Sequence, residues 1–183
     1  GYAWCGTHFS SGKRCEANAS GSNAIVFDFD GEITLAEFWT TKTAQDWCCL
    51  TYTSASYTPE CERFRAVFPL EGIPLTTSWE HRCVYQWIEL QLTRALGIPF
   101  KDSCGQKPER LWFGNDQAQV HLNTEAFVPQ AVVQAIEIPP EPAFGNAGME
   151  GITDVDVRRC VWLLNNLIAP SEDGLYNEQY IPV

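Results

Sequence analysis

Asp28 and Asp30 are separated by a single phenylalanine and follow the apolar run 24–27. In a strand, side chains at i and i+2 share one face, so the two carboxylates would project together. Like charges held side by side repel unless a proton or a cation lies between them. Hard carboxylate oxygens at the end of a buried strand suit Mg²⁺ or Mn²⁺, which makes the two aspartates a candidate metal pair. The chemistry such a pair serves best is metal-assisted reaction of phosphate esters.

That chemistry also needs cations for the phosphate oxygens. The chain carries only 12 Lys and Arg against 23 Asp and Glu, a formal charge of −11. Such a balance argues against indiscriminate nucleic-acid binding and leaves room for a local basic patch. The cations are grouped: Lys13-Arg14, Arg63 with Arg65, and Lys107 with Arg110. Arg65 on a strand face is suited to bidentate phosphate contact, and Arg63, two positions away, shares that face.

The elements that must hold these groups are legible in part. With 183 residues, 45% of them apolar and 13% aromatic, the chain can bury one substantial core. No apolar run approaches the ~20 residues of a membrane span, and none reads as a signal peptide. The eight cysteines contain no CxxC pair. Cys48-Cys49 read as buried thiols, zinc is not expected, and a reducing cytoplasm is the simplest setting. His8, His81 and His121 lack metal-ligand spacing, and Cys104 has no partner histidine that would make it a nucleophile.

Residues 1–23 read as short strands or ordered loop, followed by a strand over 25–29. Thr34 predicts an N-cap for a helix to about Asp46, with Leu35, Phe38, Trp39 and Ala44 inward. A strand is expected over 48–53, a polar loop over 54–61, and a strand over 62–70, where Arg63, Arg65 and Val67 alternate with Phe64, Ala66 and Phe68. Ser78 opens the clearest helix and Gly97 stops it. Strand signals recur at 110–113 and 119–122. A Pro- and Gly-rich stretch near 138–150 reads as a linker, and Thr153 opens a further helix through Ile168. That helix needs a partner and the chain starts at Gly1, so flanking domains are expected beyond this piece.

Two families share the acidic motif. The string 26–34, Val-Phe-Asp-Phe-Asp-Gly-Glu-Ile-Thr, resembles the first motif of haloacid-dehalogenase-type phosphatases, with Glu32 where that motif carries threonine. An added carboxylate beside a nucleophile awaiting an anionic phosphate is unhelpful. The late acidic pair of that family has only Gly114-Asn115-Asp116 to answer it. Further motifs favour another family. The small-residue loop 53–56, Thr58-Pro59-Glu60, Arg63-Phe64-Arg65 and Phe68-Pro69-Leu70, then Lys101-Asp102-Ser103-Cys104 and Arg110-Leu111-Trp112-Phe113, resemble the primase-polymerases of phages and mobile elements. These belong to the archaeo-eukaryotic primase superfamily. Gly12-Lys13-Arg14 ahead of the acidic strand matches its layout too, so the similarity spans roughly residues 10–123.

The resemblance implies an α/β (α+β) RRM-like core over 1–140, with a mixed, largely antiparallel sheet flanked by helices. A linker over 141–152 and the start of a C-terminal helical domain over 153–183 would follow. It implies a DNA primase or polymerase of mobile-element replication. Asp28, Asp30 and Asp102 would bind two Mg²⁺ or Mn²⁺ ions, and Arg63, Arg65, Arg110, Lys13 and Arg14 would handle the phosphates of an NTP or dNTP. A single-stranded DNA template and a helicase domain or subunit are the implied partners, with no membrane. One departure stands out. Where the family carries a histidine at the nucleotide, this chain has Tyr57, which can hydrogen-bond a phosphate oxygen but adds no positive charge. The alternatives are the phosphatase and a non-catalytic module that binds nucleotide or single-stranded DNA.

Overall fold

Alternation along 24–30 and 63–69 produces neighbouring antiparallel strands, and the rest of the fold is arranged around that pair. The structure, a computed structural model, describes residues 3–72, 74–99 and 104–141. In chain order its elements are β1 (Ala3–Trp4), β2 (Thr7–Phe9), β3 (Ala19–Ser22), β4 (Ala24–Asp30), α1 (Leu35–Thr40), α2 (Lys42–Trp47), β5 (Leu50–Thr53), β6 (Arg63–Pro69), α3 (Ser78–Leu96), β7 (Trp112–Phe113), β8 (Val120–Leu122) and α4 (Gln130–Ala135). They belong to one compact unit, Gly1–Ile136. The helical region expected over 153–183, and all of the expected linker but Glu141, lie outside the described residues.

The fold is α+β. The main sheet has the order β4-β6-β5-β8, while β1 pairs with β7 and β2 with β3. Among the described residues, the expected mixed sheet is antiparallel at every strand pairing, and parallel character is confined to an isolated bridge between Leu70 and Val128. One face of the main sheet is aromatic. Phe27 stacks on Tyr85 of α3 with centroids 4.4 Å apart, Phe29 stacks on Phe64 at 4.6 Å, and Phe38 of α1 meets Phe29 and Phe64 edge-on. These rings are fully buried, each contributing roughly 1.5–3 kcal/mol through burial.

The single helix expected from Thr34 to Asp46 is broken. Thr41 has an extended backbone, ends α1 through its N–H to Phe38 O, and accepts from Ala44 N through Oγ1 to cap α2. A threonine side chain competes with the helix for backbone groups. Packing points the same way. Phe38 and Ala44 are both buried, and at ~100° per residue a straight helix would set them on different sides. Thr34 does form the predicted cap, reciprocated by Glu37. For α3 the cap is Thr77 rather than Ser78, again in a reciprocal box, with Glu80.

β4 is an edge strand, and a turn at Cys104–Gln106 closes that edge. Gly105 packs so tightly that a Cβ there would lie 2.1 Å from Val26 O and 2.6 Å from the Tyr85 ring. Only glycine fits such an approach. His81, buried in α3, fixes the turn: Nε2 bonds Gly105 O and Nδ1 bonds Ser22 Oγ, both at 2.8 Å. The role is structural, as its lack of ligand spacing implies. Among the described residues, no helix is long and apolar enough to cross a membrane.

Candidate functional site

The face of the main sheet opposite the phenylalanines carries the acids and arginines in cross-strand rows. Asp28 pairs with Arg65, which pairs with Tyr52, which pairs with Val120; in the next row towards the strand end, Asp30 pairs with Arg63. An apolar row, Val26, Val67, Leu50 and Leu122, lies behind them. Residues directly opposite in a ladder share a face, so this placement follows from the register alone.

The two acid–arginine pairs differ in environment. Arg65 Nε lies 3.2 Å from Asp28 Oδ1, with the side chains 15% and 12% exposed. Arg63 Nε lies 3.8 Å from Asp30 Oδ1, with 40% and 52% exposed. Arg65 is further held by Nη1 donating to Phe113 O at 2.7 Å. Its guanidinium sits between two rings, 5.8 Å from the Tyr52 centroid and 5.5 Å from that of Trp112. Burial lowers the Arg65 pKa, but Asp28 and Tyr52 outweigh it and leave the pKa above its ordinary value. Arg63 is also raised, first by its hydrogen bond with Cys61 and then by Asp30. Its Nη1 reaches Ser56 Oγ at 3.5 Å, tying the site to the loop between β5 and β6.

The turn after β4 needs Gly31. Its φ is +93°, and a side chain there would meet Cys61 Sγ at 2.7 Å. Glu32, the residue that departs from the phosphatase motif, curls back so that Oε2 accepts from Asp30 N at 2.6 Å. It completes the turn rather than adding a bare charge to the face.

The other predicted residues fall at increasing remove. Tyr57 is half-buried in the loop joining Thr53 to Arg63, at the Asp30 end of the sheet, with its N–H bonded to Ser54 O. Arg110 is exposed and lies 5.7 Å from the Trp112 centroid, on the ring that also contacts Arg65. Arg14 donates to the carbonyl of Glu109, the neighbour of Arg110. Lys13 is exposed, and its carbonyl accepts from Asn18 Nδ2 at 3.0 Å. Asp102 lies outside the described residues.

Divalent metal can be tested against the donors that are described. Asp28 and Asp30 supply hard oxygens on one face, and Asp30 is open to water, which suits Mg²⁺ or Mn²⁺. Among the described residues, no cluster of three His, Cys, Asp or Glu could hold a metal ion. Arg63 and Arg65 cancel the charge of the two aspartates. A neutral set attracts a bare cation weakly, whereas a cation carried on a polyphosphate meets favourable partners for both of its charges. The residues therefore fit a metal delivered with its anionic ligand.

Tyr52 and Trp4 are functional candidates that the sequence motifs do not single out, and they adjoin Trp112 of the 110–113 motif. Trp4 pairs with Trp112 across β1 and β7, and its Nε1 donates to Tyr52 OH at 3.3 Å. The signal that finds them is register, which brings Tyr52 beside Arg65. No family model matches this chain, and no curated protein or solved structure matches it either.

Proposed function

We propose that this chain is the nucleotidyl-transfer core of a primase-polymerase, adding nucleotides to a growing strand on a single-stranded DNA template. One observation carries the reading: acids from 28–30 and arginines from 63–65, taken from separate motifs of the resemblance, oppose each other on one sheet face. The helices α1 and α3 pack on the other face, and on the acidic face Trp4 and Trp112 cover the Val26, Val67 and Tyr52 positions, which leaves the Asp30–Arg63 end for substrate. An antiparallel sheet with helices on one side accords with an RRM-like core. A cytoplasmic setting and a helicase partner belong to the same proposal.

Asp28 and Asp30, with Asp102 as the resemblance implies, would hold Mg²⁺ or Mn²⁺. When bound, the metal neutralises the triphosphate and activates the attacking 3′ oxygen. The chain's own groups divide the remaining work. Arg63, exposed and loosely paired, is placed to take phosphate oxygens by exchanging Asp30 for substrate. Arg65, held by Asp28, Phe113 O and two rings, orients Asp28 and supplies fixed positive charge rather than moving. Tyr57 can donate its hydroxyl to a phosphate, and Arg110 with Arg14 and Lys13 extends the positive rim.

A second reading, a module that binds nucleotide or single-stranded DNA without turnover, is favoured by the closure of Arg65 onto Asp28 and by Tyr57 in place of histidine. The phosphatase reading draws no support from this architecture. Its acidic pair would have to be found at Asn115-Asp116, a turn between β7 and β8 where the Asn115 amide is bonded to Ser54 O and Gln117 N.

Primer extension on a single-stranded template with Mn²⁺ or Mg²⁺ tests the proposal. The unaltered chain is expected to extend the primer. Asp30→Asn, which removes one exposed carboxylate and leaves the Asp28–Arg65 pair in place, is expected to abolish extension. Metal-dependent nucleotide binding without extension would select the non-catalytic module, and loss of both would remove the primase reading.

A further inference from the structure

On the acidic side of the sheet, next to Tyr52, lies a pocket of about 280 Å³ lined by Trp4, Leu50, Tyr52, Asn115, Ala118 and Val120, with Gly114 at its rim. We propose that this pocket receives a nucleobase, held by stacking on the partly exposed Trp4 with the buried Tyr52 behind it; the inference rests on the nucleotidyl-transfer reading and specifies where its substrate sits.

Three observations converge on that occupant. The first is the wall: Trp4, partly exposed and joined to the buried Tyr52 by its Nε1 to OH bond, offers a ring among Leu50, Ala118 and Val120, with Asn115 as the polar neighbour. Stacking on such surface tolerates any base, as a template-directed enzyme requires. The second is charge. In a chain of net charge −11, Arg65 contacts the Tyr52 ring and shares Trp112 with Arg110. A base stacked on Trp4, beside Tyr52, therefore leaves its sugar and phosphates near guanidinium groups, which is the complementarity a nucleotide needs. The third is continuity. The row Asp28, Arg65, Tyr52, Val120 runs from the acidic site to the pocket in a single line across the sheet. The 114–118 turn, which lines the pocket, is tied back to the β5 end by Asn115 Nδ2 donating to Ser54 O at 3.2 Å. The Asn115 Oδ1 also accepts from Gln117 N, so the amide is held in place and shapes the pocket.

A nucleobase can arrive on an incoming nucleotide or on the template strand. Calorimetric titration with dATP and Mg²⁺, and separately with a short oligothymidylate, distinguishes the two sources. Inorganic tripolyphosphate with Mg²⁺ serves as a probe that has no base. Ala118→Phe, which fills the pocket, is expected to weaken whichever base-bearing probe uses it by about tenfold and to leave tripolyphosphate binding unchanged. Trp4→Leu is expected to weaken the same probe, and Trp4→Phe, which keeps a ring, to restore it. Loss confined to dATP assigns the pocket to the incoming nucleotide, and loss confined to the oligonucleotide assigns it to the template. Unchanged affinity for both probes in Ala118→Phe and Trp4→Leu would overturn the pocket while leaving primer extension as the measure of the proposed function. Failure of the unaltered chain to bind either probe would overturn both.

Discussion

On the helix side of the main sheet, Phe27, Phe29, Phe64 and Phe68 are completely buried, whereas the alternate positions of the same strands hold Asp28, Asp30, Arg63 and Arg65, between 12% and 52% exposed. The two faces differ by a one-residue step along each strand, so a single register supports a dry aromatic core and a charged surface. The aromatic face fixes the strand positions that make the charged face possible. The Phe29–Phe64 stack at 4.6 Å and the Phe27–Phe68 edge contact at 5.5 Å hold β4 and β6 in alignment, and the acid–arginine pairs across those strands then need little energy of their own to be in place. If that division of labour is right, substitutions on one face act mainly on stability and those on the other mainly on substrate.

The largest effect should come from the aromatic face. Phe64→Ala removes a ring packed against Phe29 and Phe38 and is expected to destabilise the fold by about 3–5 kcal/mol, read from the urea midpoint. A loss below about 1 kcal/mol would break the comparison by showing that the core does not set the register. Asp28→Asn is next. It leaves Arg65, only 15% exposed, without its carboxylate partner, at about 2–3 kcal/mol. Pairing it with Arg65→Met should recover much of that loss, because both charges then leave the partly buried row together. Extension activity should stay absent in the single and the double variant alike.

How much of this was legible in the sequence depended on whether local pattern or register decided it. Period-two alternation was enough to place Asp28 with Asp30 and Arg63 with Arg65 on common faces, and Thr34 ahead of an apolar helical pattern was enough for the cap of α1. Which strand lies beside which is not a local property. The opposition of Asp28 and Arg65 depends on a pairing between residues 37 positions apart, and the contribution of Tyr52 depends on β6 standing between β4 and β5. Arg65 therefore read as an open phosphate ligand, when the fold holds it against Asp28, Phe113 and two rings. The break at Thr41 was hidden for a related reason: helical periodicity through 34–46 is only approximate, and the sheet beneath selects the broken form. The short helix α4, which begins after Pro129, carries too few turns to give a periodic signal.

A smaller effect separates the helix side from the charged side by pH. Burial raises the Glu89 carboxyl on α3 to about 7, so the folded state holds its proton more tightly than the unfolded chain does. The stability this contributes is complete below the unfolded value near 4.5 and is lost as pH rises through about 7. His81 acts in the opposite sense: burial lowers its pKa, so its contribution is present above the unfolded value of 6.5 and is lost as pH falls below it. Glu89→Gln should therefore be more stable than the unaltered chain by about 1 kcal/mol near pH 8, given the partial exposure of Glu89, and should show no gain near pH 4. Urea midpoints at the two pH values give the difference directly. A gain of equal size at both would assign the effect to packing instead of charge.

The smallest stability effect, and the one that most sharpens the contrast, belongs to Arg63. Its pair with Asp30 is long, at 3.8 Å, and both side chains are open to water, so Arg63→Gln should shift stability by no more than about 0.5 kcal/mol. The same substitution removes the guanidinium best placed to exchange a carboxylate for a phosphate, at the end of the sheet that the Tyr57 loop adjoins. Nucleotide affinity in the presence of Mg²⁺ should fall about tenfold, and Arg63→Lys should recover only part of it, since an ammonium lacks the planar fork that meets two oxygens at once. If Arg63→Gln instead unfolds the chain and Asp28→Asn does not, the tighter pair is not the structural one and the assignment of roles along the two rows reverses. If neither affinity nor stability moves, the exposed pair is a solvated strand end and the phosphates must be held by Arg110 and Arg14, the cations gathered around Trp112 and Glu109.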